Sequence, residues 1–293
     1  MKGIFEMGNI TIVTDAGCDL SPELLKEWNV KCTYLTFTFE NDEKIYSNLD
    51  MNIKDFYDKM RNGEVAKTSG VNPDDFKLLF KEELDAGNDI VYLGLSSGLS
   101  VTYNSAKLAA EELEASYPDR KIYLIDTLCA SAGLGMLIYL AKEKRNEGKD
   151  AKEIADYLNE IAPSMAHWFT VDDLVYLKRG GRVSATTAVI GGILNIKPVM
   201  HVDDEGHLIN MFKARGRKMS IKMLADKYTE YVKDKTAPVF ISHGDCLEDA
   251  EALAELIKAE HGVEVSLITD VGASIGAHSG PGTLALFFIA NQR

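Results

Sequence analysis

Residues 89–106 read DIVYLGLSSGLSVTYNSA, and this stretch decides the class of fold. Asp89–Leu95 is a short apolar run with β-branched and aromatic residues, which predicts a strand. The Ser- and Gly-rich segment that follows predicts a turn, and Ser105–Ser116 predicts a helix. A strand, a turn and a helix in this order are typical of a parallel β-α-β crossover.

The same order recurs on both sides of this stretch. A helix is also expected after Ser21, which is placed as an N-cap with Pro22 at the first helical position. Further strands are predicted at Ile10–Thr14, Cys32–Phe39 and Lys121–Asp126, and further helices at Asn52–Asn62, Asn72–Ala86, Ala130–Asn146 and Ala151–Ile161. This alternation predicts an N-terminal three-layer α/β/α domain with a parallel sheet, whose ligands lie beyond the carboxyl ends of the strands.

After Pro163 the predicted strands follow one another more closely. They are His167–Val171, Pro198–Val202, Leu208–Ala214, Val239–Ser242, Val263–Asp270 and Thr283–Ile289. The turn DDEG at 203–206 predicts an antiparallel hairpin. Helices are predicted at Asp172–Leu177, Ala188–Leu194, Lys218–Val232 and Cys246–Glu260. We therefore expect a two-layer mixed α/β second domain, with domains at 1–162 and 163–293.

Composition excludes some classes of function. The chain has 293 residues, enough for two domains of ordinary size, and a net charge of −13, which disfavours binding to nucleic acid or to anionic membranes. No stretch approaches the roughly 20 apolar residues of a membrane span, and the start of the chain lacks the apolar core of a signal peptide. Four scattered cysteines predict free thiols in a reducing compartment, so we expect a cytoplasmic protein without stable membrane insertion.

Two clusters of hydroxyl residues lie in the first half. Thr68 and Ser69 are placed in a loop where their hydroxyls could hold one anion, unless they and Asn72 merely satisfy the turn and cap the next helix. Ser96, Ser97 and Ser100 follow a strand and precede a helix, where hydroxyls and unpaired N–H groups form either an anion site or a structural cap. The spacing and the lysine of a nucleotide-binding P-loop are missing.

Two more clusters lie in the second half. Residues 178–184 read KRGGRVS, a cationic glycine loop around Arg182 that suits a carboxylate or phosphoryl group, although a solvated turn is the simpler alternative. Residues 276–283 read GAHSGPGT, a turn in which His278 could donate a hydrogen bond or be purely structural.

The sequence lacks the motifs that common types of catalytic site require. No GxSxG elbow accompanies Ser97 or Ser100, and the histidines and carboxylates are not spaced as metal ligands. We therefore expect no metal, no cofactor and no enzymatic activity. Two alternatives stay open: a hydrolase or transferase that uses Ser97 or Ser100 with His278, and a regulatory module that responds to a lipid.

Taken together, the four clusters resemble the motifs of the DegV family. That pattern has a TSxP-type loop, a segment of the form SSGLSGTYxSA, a GGR[VI] turn and an HxGPG turn, and here the resemblance runs from ITIVTDAG at residue 10 to Thr283. It implies a two-domain DegV-like α/β protein that holds a long-chain fatty acid between its domains. In Gram-positive bacteria such proteins resemble the acyl-carrier subunit of a fatty-acid kinase, whose separate catalytic subunit phosphorylates the bound carboxylate for phospholipid synthesis.

The resemblance also implies roles for particular residues. Thr68, Ser100 and His278 would hold the carboxylate. Ser69, Ser96 and Ser97 would line the same pocket, and Arg182, Arg215 and Arg217 would form a secondary or kinase contact.

This chain departs from the family pattern at two places. It has TSGVNP in place of the usual TSQP, and Val101 in place of a glycine, which alters backbone freedom and bulk near the pocket. An acyl tail remains the expected source of affinity, since sixteen carbons at about 0.8 kcal/mol per methylene give roughly 12 kcal/mol before ordering costs.

Overall fold

The computed structural model describes residues 9–183 and 195–292. Its strands in chain order are β1 (Ile10–Asp15), β2 (Val30–Thr33), β3 (Thr36–Phe39), β4 (Tyr46–Ser47), β5 (Ala66–Ser69), β6 (Asp89–Gly94), β7 (Ile122–Asp126), β8 (Met165–Thr170), β9 (Ile196–Val202), β10 (Leu208–Arg215), β11 (Phe240–His243), β12 (Leu267–Asp270) and β13 (Leu284–Ile289). The helices are α1 (Pro22–Glu27), α2 (Ile53–Arg61), α3 (Pro73–Asp85), α4 (Thr102–Glu114), α5 (Ala132–Asn146), α6 (Ala151–Ile161), α7 (Val175–Arg179), α8 (Arg217–Tyr231), α9 (Leu247–His261) and α10 (Ala273–Ser279).

Two large sheets organise the fold, as the sequence predicted. The first has the order β2-β1-β6-β7 and is parallel throughout. The second has the order β10-β9-β8-β13-β11-β12 and is mixed, with only β11 and β12 parallel. The mixed α/β class with one parallel and one mixed sheet is therefore confirmed, and the hairpin predicted at 203–206 joins β9 to β10.

Helix α5 lies between the two sheets. It packs against β1 and β6 on one side and against β8, β11 and β13 on the other. Its first half is buried and apolar on all sides, as a helix enclosed by two sheets must be. A Cβ at Gly133 would collide with the ring of His167, so glycine here lets α5 approach the mixed sheet closely. One apolar core consequently spans residue 162, and the domain boundary stays a prediction.

The segment Cys32–Phe39 is not one strand, which corrects the prediction. The chain leaves the parallel sheet after Thr33, and Thr36 begins a strand of a separate antiparallel sheet with the order β4-β3-β5. Both pieces contain residues that favour strands, so local propensity could not reveal that they belong to different sheets. The small sheet packs its Phe37 and Phe39 against Phe56 of α2.

Two polar segments also differ from their predicted form. Thr68 and Ser69 lie in strand β5 rather than in a loop, and they pair with Phe37 and Thr36 of β3. His278 lies in helix α10, and only Gly280–Gly282 form the expected turn. Glycine and serine favour turns locally, but α10 gains its stability from packing of Ala273 and Ala277 on the small sheet.

Other predictions concern caps and boundaries. Ser21 and Asn72 do cap α1 and α3, as expected. Helix α4 begins at Thr102, earlier than predicted, and β12 begins later, at Leu267. The helix predicted at Ala188–Leu194 lies outside the described residues. Within those residues, none of the helices combines the length and apolar character that crossing a bilayer requires.

Candidate functional site

A cavity of about 760 Å³, its open end included, lies between the mixed sheet and the loops that follow the parallel strands. The walls are mostly apolar and include Leu35, Leu95, Leu99, Phe169, Leu177, Val202, Leu208, Val271, Ile275, Ala285 and Phe287. The polar lining residues are Thr68, Ser100, Ser131, His167, Arg182, Ser242, Ser274, His278, Ser279 and Thr283.

Four of these polar residues are half-buried, namely Thr68, Ser100, Arg182 and His278. The other polar lining residues are buried. The half-buried group therefore marks the open end of the cavity, which we call the mouth.

At the mouth, Thr68 and His278 form a hydrogen bond. The Oγ1 atom of Thr68 lies 2.8 Å from the Nε2 atom of His278, although the two residues are 210 positions apart in the chain. Because side chains alternate along a strand, Thr68 faces the cavity while its neighbour Ser69 points to solvent. Strand β5 and helix α10 thus bring the first and last polar clusters of the sequence together.

The electrostatic environment keeps the ring of His278 neutral. Burial, together with the nearby positive charge of Arg182, lowers the pKa of His278 from 6.5 to about 4. Its Nδ1 atom is buried and has no hydrogen-bond partner among the described residues. Gly180 packs directly on that atom, since a Cβ at this position would collide with Nδ1. The glycine of the cationic loop therefore makes room for the ring.

We expect the lowered pKa of His278 to make the free energy of unfolding depend on pH. Between about pH 6.5 and pH 4 the unfolded chain takes up a proton at His278 and the folded chain does not. The contribution of His278 to the free energy of unfolding is therefore fully present above pH 6.5 and is lost as the pH falls toward 4. Chemical denaturation at several pH values measures the free energy of unfolding of the wild type and of His278→Asn. The difference between the two proteins should change over this pH window; a constant difference would contradict the lowered pKa of His278.

Ser100 and Arg182 complete the mouth. The Oγ atom of Ser100 accepts a hydrogen bond from the Thr102 N–H at 3.2 Å and lies 2.9 Å from the Thr102 hydroxyl, so it satisfies an N–H group at the start of α4 while lining the cavity. Arg182 donates from Nε to the Leu99 carbonyl at 3.1 Å and also donates to the Gly180 carbonyl. These contacts hold a guanidinium beside the hydroxyl groups, a combination suited to a carboxylate.

Ser279 is a cavity residue that the sequence analysis missed. It is 5% exposed, and its hydroxyl has no hydrogen-bond partner in the part of the chain that the structure describes. Together with Ser274, Ile275 and His278 it forms the cavity-facing side of α10. The i, i+4 spacing of Ser274 to His278 and of Ile275 to Ser279 would have indicated this shared face, had the segment been predicted as a helix.

Three expected site residues lie away from the cavity lining. Ser69 is exposed on the outer face of β5. Ser96 is fully buried and donates to the Gly206 carbonyl at 3.0 Å, which ties the strand end to the β9–β10 hairpin. Ser97 is exposed, and its N–H binds Asp126 at 3.1 Å. The positions of these serines in the sequence did not show which hydroxyl groups point into the cavity.

The three arginines expected at a secondary contact lie in different parts of the structure. Arg182 lies at the mouth, whereas Arg215 is exposed on the edge strand β10. Arg217 binds Asp249 at 2.9 Å and lies 3.7 Å from Asp172, so its charge is already paired. A kinase contact at these positions stays a prediction.

In the described part of the chain, histidine, cysteine and carboxylate side chains form no group of three or more that could hold a metal ion. The four cysteines are free thiols.

The family described as "Uncharacterised protein, DegV family" matches residues 9–291. A DegV domain-containing protein of Clostridium perfringens is 42% identical over 290 residues, which cover 98% of this chain and 99% of that protein. This chain belongs to the DegV family. All four polar clusters of the sequence lie within the matched residues.

Solved DegV structures share the fold. A DegV protein of Thermus thermophilus, described by its fatty acid binding, superposes with a TM-score of 0.83 at 29% identity, covering 95% of this chain and 98% of its own. DegV of Bacillus subtilis, described as a fatty acid binding protein, has a TM-score of 0.81 at 28% identity over 96% of this chain and 98% of its own.

Proposed function

We propose that this DegV protein binds a long-chain fatty acid, with the acyl tail in the cavity and the carboxylate at the mouth. The observation that carries the proposal is one apolar cavity whose half-buried end holds Thr68, Ser100, Arg182 and His278. The described binding of fatty acids by the DegV proteins of T. thermophilus and B. subtilis supports it.

The hydrogen bonds at the mouth suit an anionic head group. If the neutral ring of His278 donates from Nε2 to Thr68, the Thr68 hydroxyl is free to donate to a carboxylate oxygen. The guanidinium of Arg182 supplies the positive charge, and the unpartnered hydroxyl of Ser279 supplies a further donor. A carboxylate left unpaired here would cost several kcal/mol, so these donors select for an acid.

The arrangement favours a carrier over a serine hydrolase. A serine nucleophile needs a base within hydrogen-bond reach, but Ser100 is bonded to Thr102 and His278 is bonded to Thr68. No described carboxylate orients the Nδ1 atom of His278, and a pKa near 4 makes its ring a weak base at neutral pH.

The proposal includes a place in metabolism. The protein presents the bound carboxylate at its mouth to a separate kinase subunit in the cytoplasm, which converts the carboxylate to an acyl phosphate. This step rests on the resemblance of the motifs to those of acyl-carrier subunits, and the exposed Arg215 on β10 is available as a contact.

Mass spectrometry of protein purified from cells and then denatured tests the binding. We expect a co-purifying fatty acid, and we expect delipidated protein to bind oleate and palmitate. A preparation with neither extracted acid nor binding of the added acids would overturn the proposal. The transfer step is tested separately with kinase and ATP, where loaded protein should yield acyl phosphate and the protein alone should not.

A further inference from the structure

Two serine hydroxyls face each other in the buried part of the cavity lining. The Oγ atoms of Ser131 and Ser242 lie 2.9 Å apart, and both residues line the cavity. Ser242 is fully buried on β11, where it pairs with Ala285 of β13. Behind Ser131, its Oγ atom lies 2.5 Å from Oδ2 of the buried Asp19. A tunnel for a plain hydrocarbon chain has no need of such a pair.

The bonding capacity of Ser242 is not filled by the protein. A hydroxyl has one donor and two acceptor sites, and the Oγ of Ser242 has Ser131 as its only hydrogen-bond partner among the described residues. If Asp19 is ionised, Ser131 donates to it and Ser242 donates to Ser131, which leaves acceptor sites on Ser242 facing the cavity. If Asp19 is protonated, the direction of the chain can reverse and Ser242 offers its O–H to the cavity.

Asp19 is held so that both states are available near neutral pH. Burial raises the pKa of Asp19 to about 8, while the hydrogen bonds from Ser131 and the Gly272 N–H act in the opposite direction. The Gly272 N–H donates to Oδ1 at 3.0 Å, so a proton on the carboxyl resides on Oδ2, beside Ser131. A ligand group that both donates and accepts hydrogen bonds matches Ser242 in either state.

We propose that Ser242 binds an oxygen carried along the acyl chain, so that the preferred ligand class is a hydroxylated long-chain fatty acid. This inference rests on the proposed fatty-acid function and names the ligand class of the same cavity. An alcohol on the chain completes the hydrogen bonding of Ser242, whereas an unsubstituted chain leaves that site unsatisfied beside methylene groups.

The backbone of Ser131 supports a specific role for its hydroxyl. Ser131 has φ 54° and ψ −147°, a conformation that is costly for any residue other than glycine. A serine persists in this strained conformation at the start of α5, where its hydroxyl connects Asp19 to Ser242. Glycine would relieve the strain but would remove the link that orients Ser242.

Binding of stearate and of positional isomers of monohydroxystearate to delipidated protein tests the inference. We expect at least one isomer to bind roughly five- to tenfold more tightly than stearate, the gain of one net hydrogen bond. In Ser242→Ala the ratio of the two affinities, isomer over stearate, should fall to about one or below. Ser242→Cys keeps a side chain of similar size with a weak hydrogen-bonding group, and it serves if the alanine variant folds poorly.

The outcomes separate this inference from the proposed function. If stearate binds but no isomer is preferred, Ser242 recognises no oxygen on the chain. If Ser242→Ala keeps the preference, another group recognises the ligand hydroxyl. Either result would overturn the inference. If neither stearate nor any isomer binds, the proposed function itself is wrong.

Discussion

Thr68→Val should weaken palmitate binding by roughly ten- to a hundredfold, because a hydrogen bond to a charged group contributes about 1.5–3 kcal/mol. Valine keeps the shape of threonine and its preference for a strand, so the change removes the hydroxyl and little else. It also removes the partner of His278 Nε2. Calorimetric titration of delipidated protein with palmitate measures the effect.

The neighbouring residue provides a matched control. Ser69 lies on the same strand and its side chain points to solvent, so Ser69→Ala should bind palmitate as the wild type does. Thermal unfolding followed by circular dichroism should show that both variants are folded. Wild-type affinity in Thr68→Val would mean that the carboxylate is held elsewhere.

Ala285→Phe should reduce the affinity for palmitate by about a hundredfold or more while sparing short acids. Ala285 lies on the cavity wall between Ser242 and Phe169, its paired neighbours on β11 and β8. A phenyl ring there occupies the space of several methylene groups, and each displaced methylene forfeits about 0.8 kcal/mol of transfer free energy. The ring enters an existing cavity, so the fold should tolerate it.

A series of acids of different length measures this effect within one variant. Octanoate should bind wild type and Ala285→Phe with similar affinity, because a short tail stays near the mouth. The loss should then grow with chain length. An equal loss for octanoate and palmitate would show that the tail does not run past Ala285, and unchanged palmitate binding would place the tail outside this cavity.

Local sequence patterns predicted much of this fold and part of its site. The strand at residues 89–94, the helix caps at Ser21 and Asn72 and the hairpin at 203–206 depend on propensities within a few residues, and the structure contains all of them. The family followed from the order of four polar motifs. Of the hydroxyl residues in those motifs, position in the chain alone could not tell which face the cavity.

Burial and long-range packing decided the rest. Cys32–Phe39 carries one continuous strand signal, yet it divides between two sheets because the partners of each piece lie elsewhere in the chain. Helix α10 has only seven residues, too few to be stable alone, and it forms by packing on the small sheet. Its helical phase then places His278 and Ser279 on the cavity.

The amino-acid sequence by itself determined the class of fold, the family and the chemical types available for an acid-binding site, because these depend on local periodicity, on the order of short motifs and on composition. Only the tertiary structure decided that Thr68 meets His278, that Arg182 joins them while Ser97 does not, and that Ser131 meets Ser242 inside the cavity. Contacts between distant segments depend on how whole elements pack around one core, and no local pattern encodes that packing.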